Sequence, residues 1–176
     1  MCRWNEEERI EMTLKQPMEM RNFTSAGFAK IKAPEQVATI LREYWNAHNS
    51  EQQEEAWPKA NTYVNHWVAP TSMLPLDSHR ESTIAELIRP VLEAWTGQKL
   101  ILTSVYGIRI YTEGAVLAPH VDRLPLVSSC IINVAQDVDE DWPIEVIGHD
   151  GKAVNVTAHP GDMILCKFIP YRMLRS

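Results

Sequence analysis

The feature that most constrains the fold is a succession of short β-patterned runs in the second half of the chain. The runs are rich in β-branched and apolar residues, and stretches typical of turns separate them, such as TEGAVLAPH, DVDED, HDG and HPGD. They read LILTSVYGIRIYT, LVSSCIINVAQ, WPIEVIG, KAVNVTA and DMILCKFI. Closely spaced strands of this kind are typical of a sandwich or jelly roll.

Two helices are predicted ahead of these strands. Pro34 suits a first helical turn, and apolar residues follow it at helical spacing over 34–49. The second helix is predicted to begin at the capping-box pattern Thr83–Glu86 and to end at Gly97, with a kink at Pro90. Helices followed by strands predict an α+β fold in which the helices pack on the β structure.

The length of 176 residues indicates one domain with a substantial core. Residues 1–22 are charged and Met-rich and are predicted to form a loose N-terminal arm, which leaves 23–176 as the domain. The segment TYVNHWV is a candidate strand. The net charge of −6 argues against a general affinity for nucleic acid. We expect no membrane span and see no signal peptide, so a cytoplasmic location is the default expectation.

The cysteines and the acidic runs are interpreted as structural. Cys2, Cys130 and Cys166 have no metal-binding spacing and suggest no disulfide framework, and Cys130 is expected to be a small core residue. The run EQQEE at 51–55 is interpreted as a solvated charge run, and the acidic residues within 137–141 as an exposed hairpin loop.

The candidate chemistry lies at His120-Val-Asp122, where the β pattern is interrupted. Residues i and i+2 of a strand point to the same face, so this imidazole and carboxylate would converge. Together they supply two of the three ligands of the 2-His-1-carboxylate site for non-haem Fe(II). The alternative is a strand-end histidine bonded to a nearby turn. His79-Arg-Glu81 is a second pair with this spacing, and it is predicted to lie on a solvated loop.

The segment YGIRIYTEGAVLAPHVD, followed by SSCIINVAQ and PGDMIL, resembles the catalytic domain of the prolyl 4-hydroxylase-like 2-oxoglutarate/Fe(II) dioxygenases. The resemblance covers residues 100–165. It implies that the helices support a double-stranded β-helix, or jelly roll, whose core spans 100–170. On this resemblance His120 and Asp122 match the first two iron ligands, and Tyr111 matches a tyrosine that contacts 2-oxoglutarate.

Two further residues match the family pattern, Arg109 and Gly114, and are expected to serve strand packing and turn geometry. The resemblance implies Fe(II) as cofactor, 2-oxoglutarate as co-substrate and ascorbate as the reductant of over-oxidised iron. It also implies hydroxylation of a C–H bond in a peptide or protein substrate, with peptidyl proline as the expected site. Related enzymes often work in the endoplasmic reticulum.

The chain departs from the family pattern after Leu165. The second ligand histidine is expected at a position occupied by Ile169, and no histidine follows it. The basic residue that anchors 2-oxoglutarate also has no match, and Lys167 is out of register. We interpret the C-terminus as truncated or frameshifted, with the last strands of the β-helix missing. This predicts an iron site with two protein ligands and impaired activity.

Two other interpretations remain open from the sequence. The chain could be a catalytically inactive β-sandwich binding module or a truncated gene product, which the missing histidine favours. A small zinc hydrolase is a weaker alternative, because zinc catalysis normally uses three protein ligands and no third is in register.

Overall fold

In a computed structural model, the described residues from 21 onward combine two α-helices with small antiparallel sheets. The structure describes residues 11, 15, 21–55, 69, 71–115, 122 and 125–167. The predicted loose arm therefore lies almost wholly outside the described residues, as does the candidate strand TYVNHWV. The α+β class is confirmed.

The first helix, α1 (Glu35–His48), confirms the helix predicted over 34–49. It directly follows strand β1 (Phe28–Lys32), and Pro34 immediately precedes its first residue. Val37 and Leu41 are the buried residues of α1 and lie one turn apart, so they form one apolar stripe.

The second helix, α2 (Ser78–Thr96), begins earlier than its predicted start at Thr83. The cap is Asp77, whose carboxylate accepts the Arg80 backbone N–H at 3.0 Å. Thr83 lies inside the helix, where its hydroxyl donates to the His79 carbonyl at 2.9 Å. The capping-box prediction is therefore wrong, because an acceptor closer to the chain entry satisfies the first turn.

The end of α2 agrees with the sequence. Gly97 adopts a left-handed conformation with φ of 65°, and its N–H donates to the Glu93 carbonyl at 2.8 Å. Pro90 lies within the helix, as expected. A kink at that residue stays a prediction.

The central sheet has the strand order β1–β8–β5, where β5 is Ser128–Ile132 and β8 is Asp162–Lys167. Both pairings are antiparallel, with Ala29 and Cys130 each opposite Leu165. One face of this sheet packs against the helices, and we call it the helix face. Its apolar residues are Ala29, Ile31, Cys130, Ile132, Met163 and Leu165, which contact Ala38, Val91, Leu92 and Trp95.

Directly opposed residues share a face, and neighbours along a strand alternate. The second face, which we call the distal face, therefore carries Phe28, Lys30, Lys32, Ser129, Ile131, Asp162, Ile164 and Cys166.

A hairpin lies over one edge of the distal face. It consists of β6 (Ile144–Ile147) and β7 (Ala153–Val156). Lys30 Nζ donates to the Thr157 carbonyl at 2.7 Å, just beyond β7. A Cβ added to Gly148 would lie 3.5 Å from the Phe28 ring, so the hairpin turn contacts this face as well.

A third sheet is formed by β2 (Gln53–Glu54), β3 (Ser72–Leu74) and β4 (Ile108–Ile110). Most of the run LILTSVYGIRIYT is therefore not strand, since within it only the residues of β4 pair. At its other end Ile101 is 91% exposed. Gly107 is required because a Cβ there would lie 2.3 Å from the Leu74 carbonyl oxygen.

Within the described residues the sheets form no closed barrel. None of the described helices combines the length and the apolar character needed to cross a bilayer.

Candidate metal and co-substrate site

Strand β4 presents Arg109 and, directly after its end, Tyr111. The Arg109 guanidinium donates two hydrogen bonds to the Glu55 carboxylate, from Nε to Oε2 at 2.8 Å and from a terminal nitrogen to Oε1 at 2.7 Å. Thr71, which is 2% exposed, donates its hydroxyl to the same Glu55 Oε2 at 2.9 Å. This cluster ties together the residues flanking β2 and β3 with β4.

The Glu55 side chain is only 7% exposed. The interpretation of 51–55 as a solvated run is therefore wrong for its last residue, although Glu51 to Glu54 are exposed. Burial lowers the pKa of the Arg109 guanidinium, but hydrogen bonds with Glu55 and then Tyr111 outweigh it and raise that pKa above its ordinary value. Arg109 is thus a structural cation, which agrees with the expected packing role.

Tyr111 shares a strand face with Arg109 and hydrogen bonds with it. The residue is 39% exposed, and its ring meets Trp142 edge-on, with 6.5 Å between ring centroids and an interplanar angle of 75°. The phenol is therefore held from two sides while part of it stays accessible to a ligand.

The turn after Tyr111 agrees with the role expected of Gly114. Its φ is 79°, a conformation that glycine adopts without strain. The Ala115 N–H donates to the Thr112 carbonyl at 2.9 Å and closes the turn.

Asp122 is half-buried and lies near Cys166 of the distal face. The pKa of the Cys166 thiol is raised to about 12, first by burial, then by the negative charge of Asp122, and then by Cys130. Burial likewise raises the pKa of Cys130 to about 11. Both cysteines are neutral thiols that form no disulfide, and Cys130 contacts the core as expected.

His120 lies outside the described residues, and so does Ile169, where the resemblance places the missing histidine. Among the residues that are described, no group of three or more His, Cys, Asp or Glu side chains is placed to hold a metal ion. The geometry of the predicted pair is therefore seen for Asp122 only.

Lys167 ends β8 and is 2% exposed. Its ammonium donates to the Arg21 carbonyl and to Asn22 Oδ1, the latter at 3.3 Å, and lies 4.7 Å from the centre of the Phe23 ring. These contacts direct the ammonium to the segment before β1. This agrees with the expectation that Lys167 is out of register for anchoring 2-oxoglutarate.

The pair His79 and Glu81 lies in the first turns of α2 and not on a loop, so that prediction is wrong. Asp77 caps the helix just ahead of them, a signal present in the sequence but outweighed by the Thr83–Glu86 pattern. Residues two apart on a helix do not face each other, so this pair cannot converge on a metal.

Asp162 is a buried carboxylate to which the sequence patterns assigned no functional role. Its side chain is 3% exposed and forms ion pairs with Lys30, at 3.2 Å, and with Lys32. The His159 backbone N–H, then Lys32, hold the pKa of this carboxyl well below its ordinary value, against the effect of burial. The alternating lysines of β1 were the available signal for this partner.

Comparisons with known protein families, with curated proteins and with solved structures find no match to this chain.

Proposed function

We propose that this chain has the scaffold of an Fe(II)/2-oxoglutarate dioxygenase of the prolyl 4-hydroxylase type, with His120 and Asp122 as its metal ligands. The observation that carries the proposal is the position of Asp122 near Cys166, on the sheet face turned away from the helices. Helices on one face and a β-hairpin on the other support a jelly-roll-like layering. A metal held by Asp122 would lie on the distal side of the central sheet.

The ligand types fit Fe(II), but their number is small. An imidazole and a carboxylate are two of the three ligands of the facial site. The Cys166 thiol is neutral because its pKa is raised to about 12, so it adds no ligand without first losing a proton. We therefore expect weak metal binding and impaired turnover.

The remaining residues would bind and orient the co-substrate. Bound iron and 2-oxoglutarate would together supply the oxidising chemistry, with ascorbate keeping the iron reduced. The Tyr111 hydroxyl would donate a hydrogen bond to a carboxylate of 2-oxoglutarate. Support for this role comes from Arg109, which hydrogen bonds with Tyr111 and is itself paired with Glu55. A peptide or protein containing proline is the proposed substrate.

Metal binding tests the two ligands directly. We expect Mn²⁺, followed by electron paramagnetic resonance, to bind the native chain weakly and to bind neither Asp122→Asn nor His120→Gln. The double variant His79→Gln/Glu81→Gln is the matched control, because it removes a histidine and an acid of the same spacing from a helix. Equal binding by the native chain and Asp122→Asn would contradict the proposal.

A gain of binding tests the resemblance. The variant Ile169→His restores the ligand at the family position, and a third protein ligand is expected to tighten Mn²⁺ binding at least tenfold. Tyr171→His places a histidine two residues further on and serves as the control. No gain for Ile169→His, or an equal gain for both variants, would count against the proposed ligand set.

Turnover tests the reaction. With Fe(II), ascorbate, 2-oxoglutarate and a short proline-containing peptide, Ile169→His is expected to form succinate faster than the native chain. If both proteins form succinate no faster than free Fe(II) does without protein, the dioxygenase proposal is contradicted and the second candidate function is favoured.

That second candidate is a catalytically inactive β-sandwich module that binds a protein partner. The observation favouring it concerns Lys167, the basic residue of β8. Its ammonium is occupied by the Arg21 carbonyl and Asn22 Oδ1, so it does not serve as the anchor for 2-oxoglutarate. Retention of a partner by Asp122→Asn would be expected of such a module.

A further inference from the structure

A cluster at the end of β8 fastens the segment 21–27 to the domain. The Lys167 backbone N–H donates to the Gly27 carbonyl at 2.8 Å and so continues the pairing of β1 with β8. Its buried ammonium donates hydrogen bonds to the Arg21 carbonyl and to Asn22 Oδ1, and it lies over the Phe23 ring. Lys167 thus contacts both ends of the segment, at residues 21–23 and at Gly27.

The turn of the β6–β7 hairpin holds the same segment from a second side. The His149 backbone N–H donates to the Ala26 carbonyl at 3.0 Å, and the imidazole hydrogen bonds with the backbone of Ser25 and Thr24. Gly148 allows the close approach, since a Cβ there would lie 3.4 Å from the Ala26 oxygen. The other ring nitrogen, Nε2, is buried and has no hydrogen-bond partner among the described residues.

We propose that His149 and Lys167 form an acid-sensitive latch, in which the neutral imidazole keeps segment 21–27 docked and protonation releases it. The latch is independent of the proposed dioxygenase function, because it uses neither the ligands His120 and Asp122 nor Tyr111.

The physical basis is the environment of the ring. A proton added at Nε2 would create a buried N–H with no acceptor among the described residues, and such a group is costly to bury. It would also place a second positive charge near the Lys167 ammonium. Undocking of the segment relieves both effects, because water then reaches the ring.

The pKa of His149 reflects this balance. Burial and then the charge of Lys167 hold it below its ordinary value, while the backbone hydrogen bonds of Ser25 and Thr24 act in the opposite direction. A lowered folded-state pKa means that docking is complete above the ordinary value of about 6.5 and weakens as the pH falls below it.

Among the described residues, Lys167 is the charged group whose charge lowers the pKa of His149. Segment 21–27 has Arg21 as its only ionisable side chain. The hairpin turn itself carries Asp150 and Lys152, whose charged atoms are 3.9 Å apart and whose side chains are 60% and 80% exposed. Strand β1 contributes the uncharged ring of Phe28 near this turn.

Hydrogen exchange tests the latch on the full chain. The amides of Lys167 and His149 donate to Gly27 and Ala26, so their protection reports docking. After correction for the intrinsic pH dependence of exchange, opening at these amides should increase by up to about tenfold between pH about 7.5 and about 5.5, the limit reached when the docked ring stays neutral throughout. Amides that pair β5 with β8 serve as the internal reference and should change little.

The variant His149→Gln keeps a polar side chain that does not titrate, so its opening should be independent of pH over this range. His79→Gln removes an exposed histidine and should behave as the native chain. If His149→Gln fails to fold, Lys167→Met keeps the imidazole and removes the neighbouring charge, and the pH dependence should be smaller. A native chain without local pH dependence, or an unchanged dependence in the folded His149 or Lys167 variant, would overturn the proposal.

Discussion

The two faces of the central sheet differ in what occupies them. The helix face is sealed, with Met163 at 0% and Leu165 at 1% exposure against the helices. The distal face mixes the buried Ile164 with ionisable groups and with Ile131, which is 47% exposed. An apolar sheet face supplies folding free energy, whereas charged and accessible groups contribute less to stability and can serve binding. The same strands therefore carry stability on one side and candidate chemistry on the other.

The largest expected effect is on the helix face. Leu165→Ala removes buried methyl groups and leaves a cavity, so it should lower the free energy of unfolding by about 2–5 kcal/mol. Ile131→Ala, on the distal face, should lower it by less than about 1 kcal/mol because about half of the residue is exposed already. Urea unfolding measures both values. Equal losses would show that the two faces do not differ in this way.

A charged exception on the distal face is Asp162, which is buried between two lysines. Asp162→Asn should cost about 1.5–3 kcal/mol, the range for hydrogen bonds to charged groups. Asp139→Asn, on an exposed loop, should cost little.

The same carboxyl predicts how stability depends on pH. Its folded-state pKa is lowered by the His159 N–H and Lys32, so its contribution is present above the ordinary value of about 3.9. It is lost as the pH falls from there through the folded-state value. Thermal unfolding of the native chain and Asp162→Asn should therefore converge in acid, and a constant difference down to the lowest pH would contradict this.

A further prediction concerns strand β4. Glu55→Gln leaves the half-buried Arg109 guanidinium without its charged partner and should cost about 1–3 kcal/mol. The neighbouring Glu54→Gln is the matched control, since Glu54 is exposed. The near-ultraviolet circular dichroism of the Tyr111–Trp142 pair should also change in Glu55→Gln alone. An unchanged signal would mean that the Arg109–Glu55 ion pair does not position Tyr111.

The smallest effect concerns Cys166. Its pKa of about 12 keeps it a thiol near neutral pH, so alkylation of the folded protein should be slow. Asp122→Asn removes one of the charges that raise this pKa and should speed alkylation a few-fold, as read by mass spectrometry of the peptide. Asp139→Asn should leave the rate unchanged. Equal rates in all three proteins would argue against Asp122 lying near Cys166.

Local patterns in the sequence predicted the scaffold well. The apolar spacing of Val37 and Leu41 and the stop at Gly97 are local signals, and both were confirmed. Strands β5 to β8 lie within their predicted runs, because turn residues bound each of them.

Features that depend on distant partners were missed. Glu55 is buried because Arg109 and Thr71 meet it across other strands, and nothing in EQQEE signals this. Residues 100–107 have a strand-like composition but no strand partner in the described part of the chain, and strand formation depends on pairing as well as propensity. At the candidate site, Arg109 and Gly114 serve the packing and turn roles expected of them, whereas the contact of Tyr111 with 2-oxoglutarate stays a prediction. The convergence of His120 with Asp122 stays a prediction.

The proposed metal site is tested most directly by Mn²⁺ binding to the native chain and to Asp122→Asn, with His79→Gln/Glu81→Gln as control. We expect weak binding by the native chain and the control, and none by Asp122→Asn. Binding of equal strength by all three proteins would contradict a metal site at His120 and Asp122.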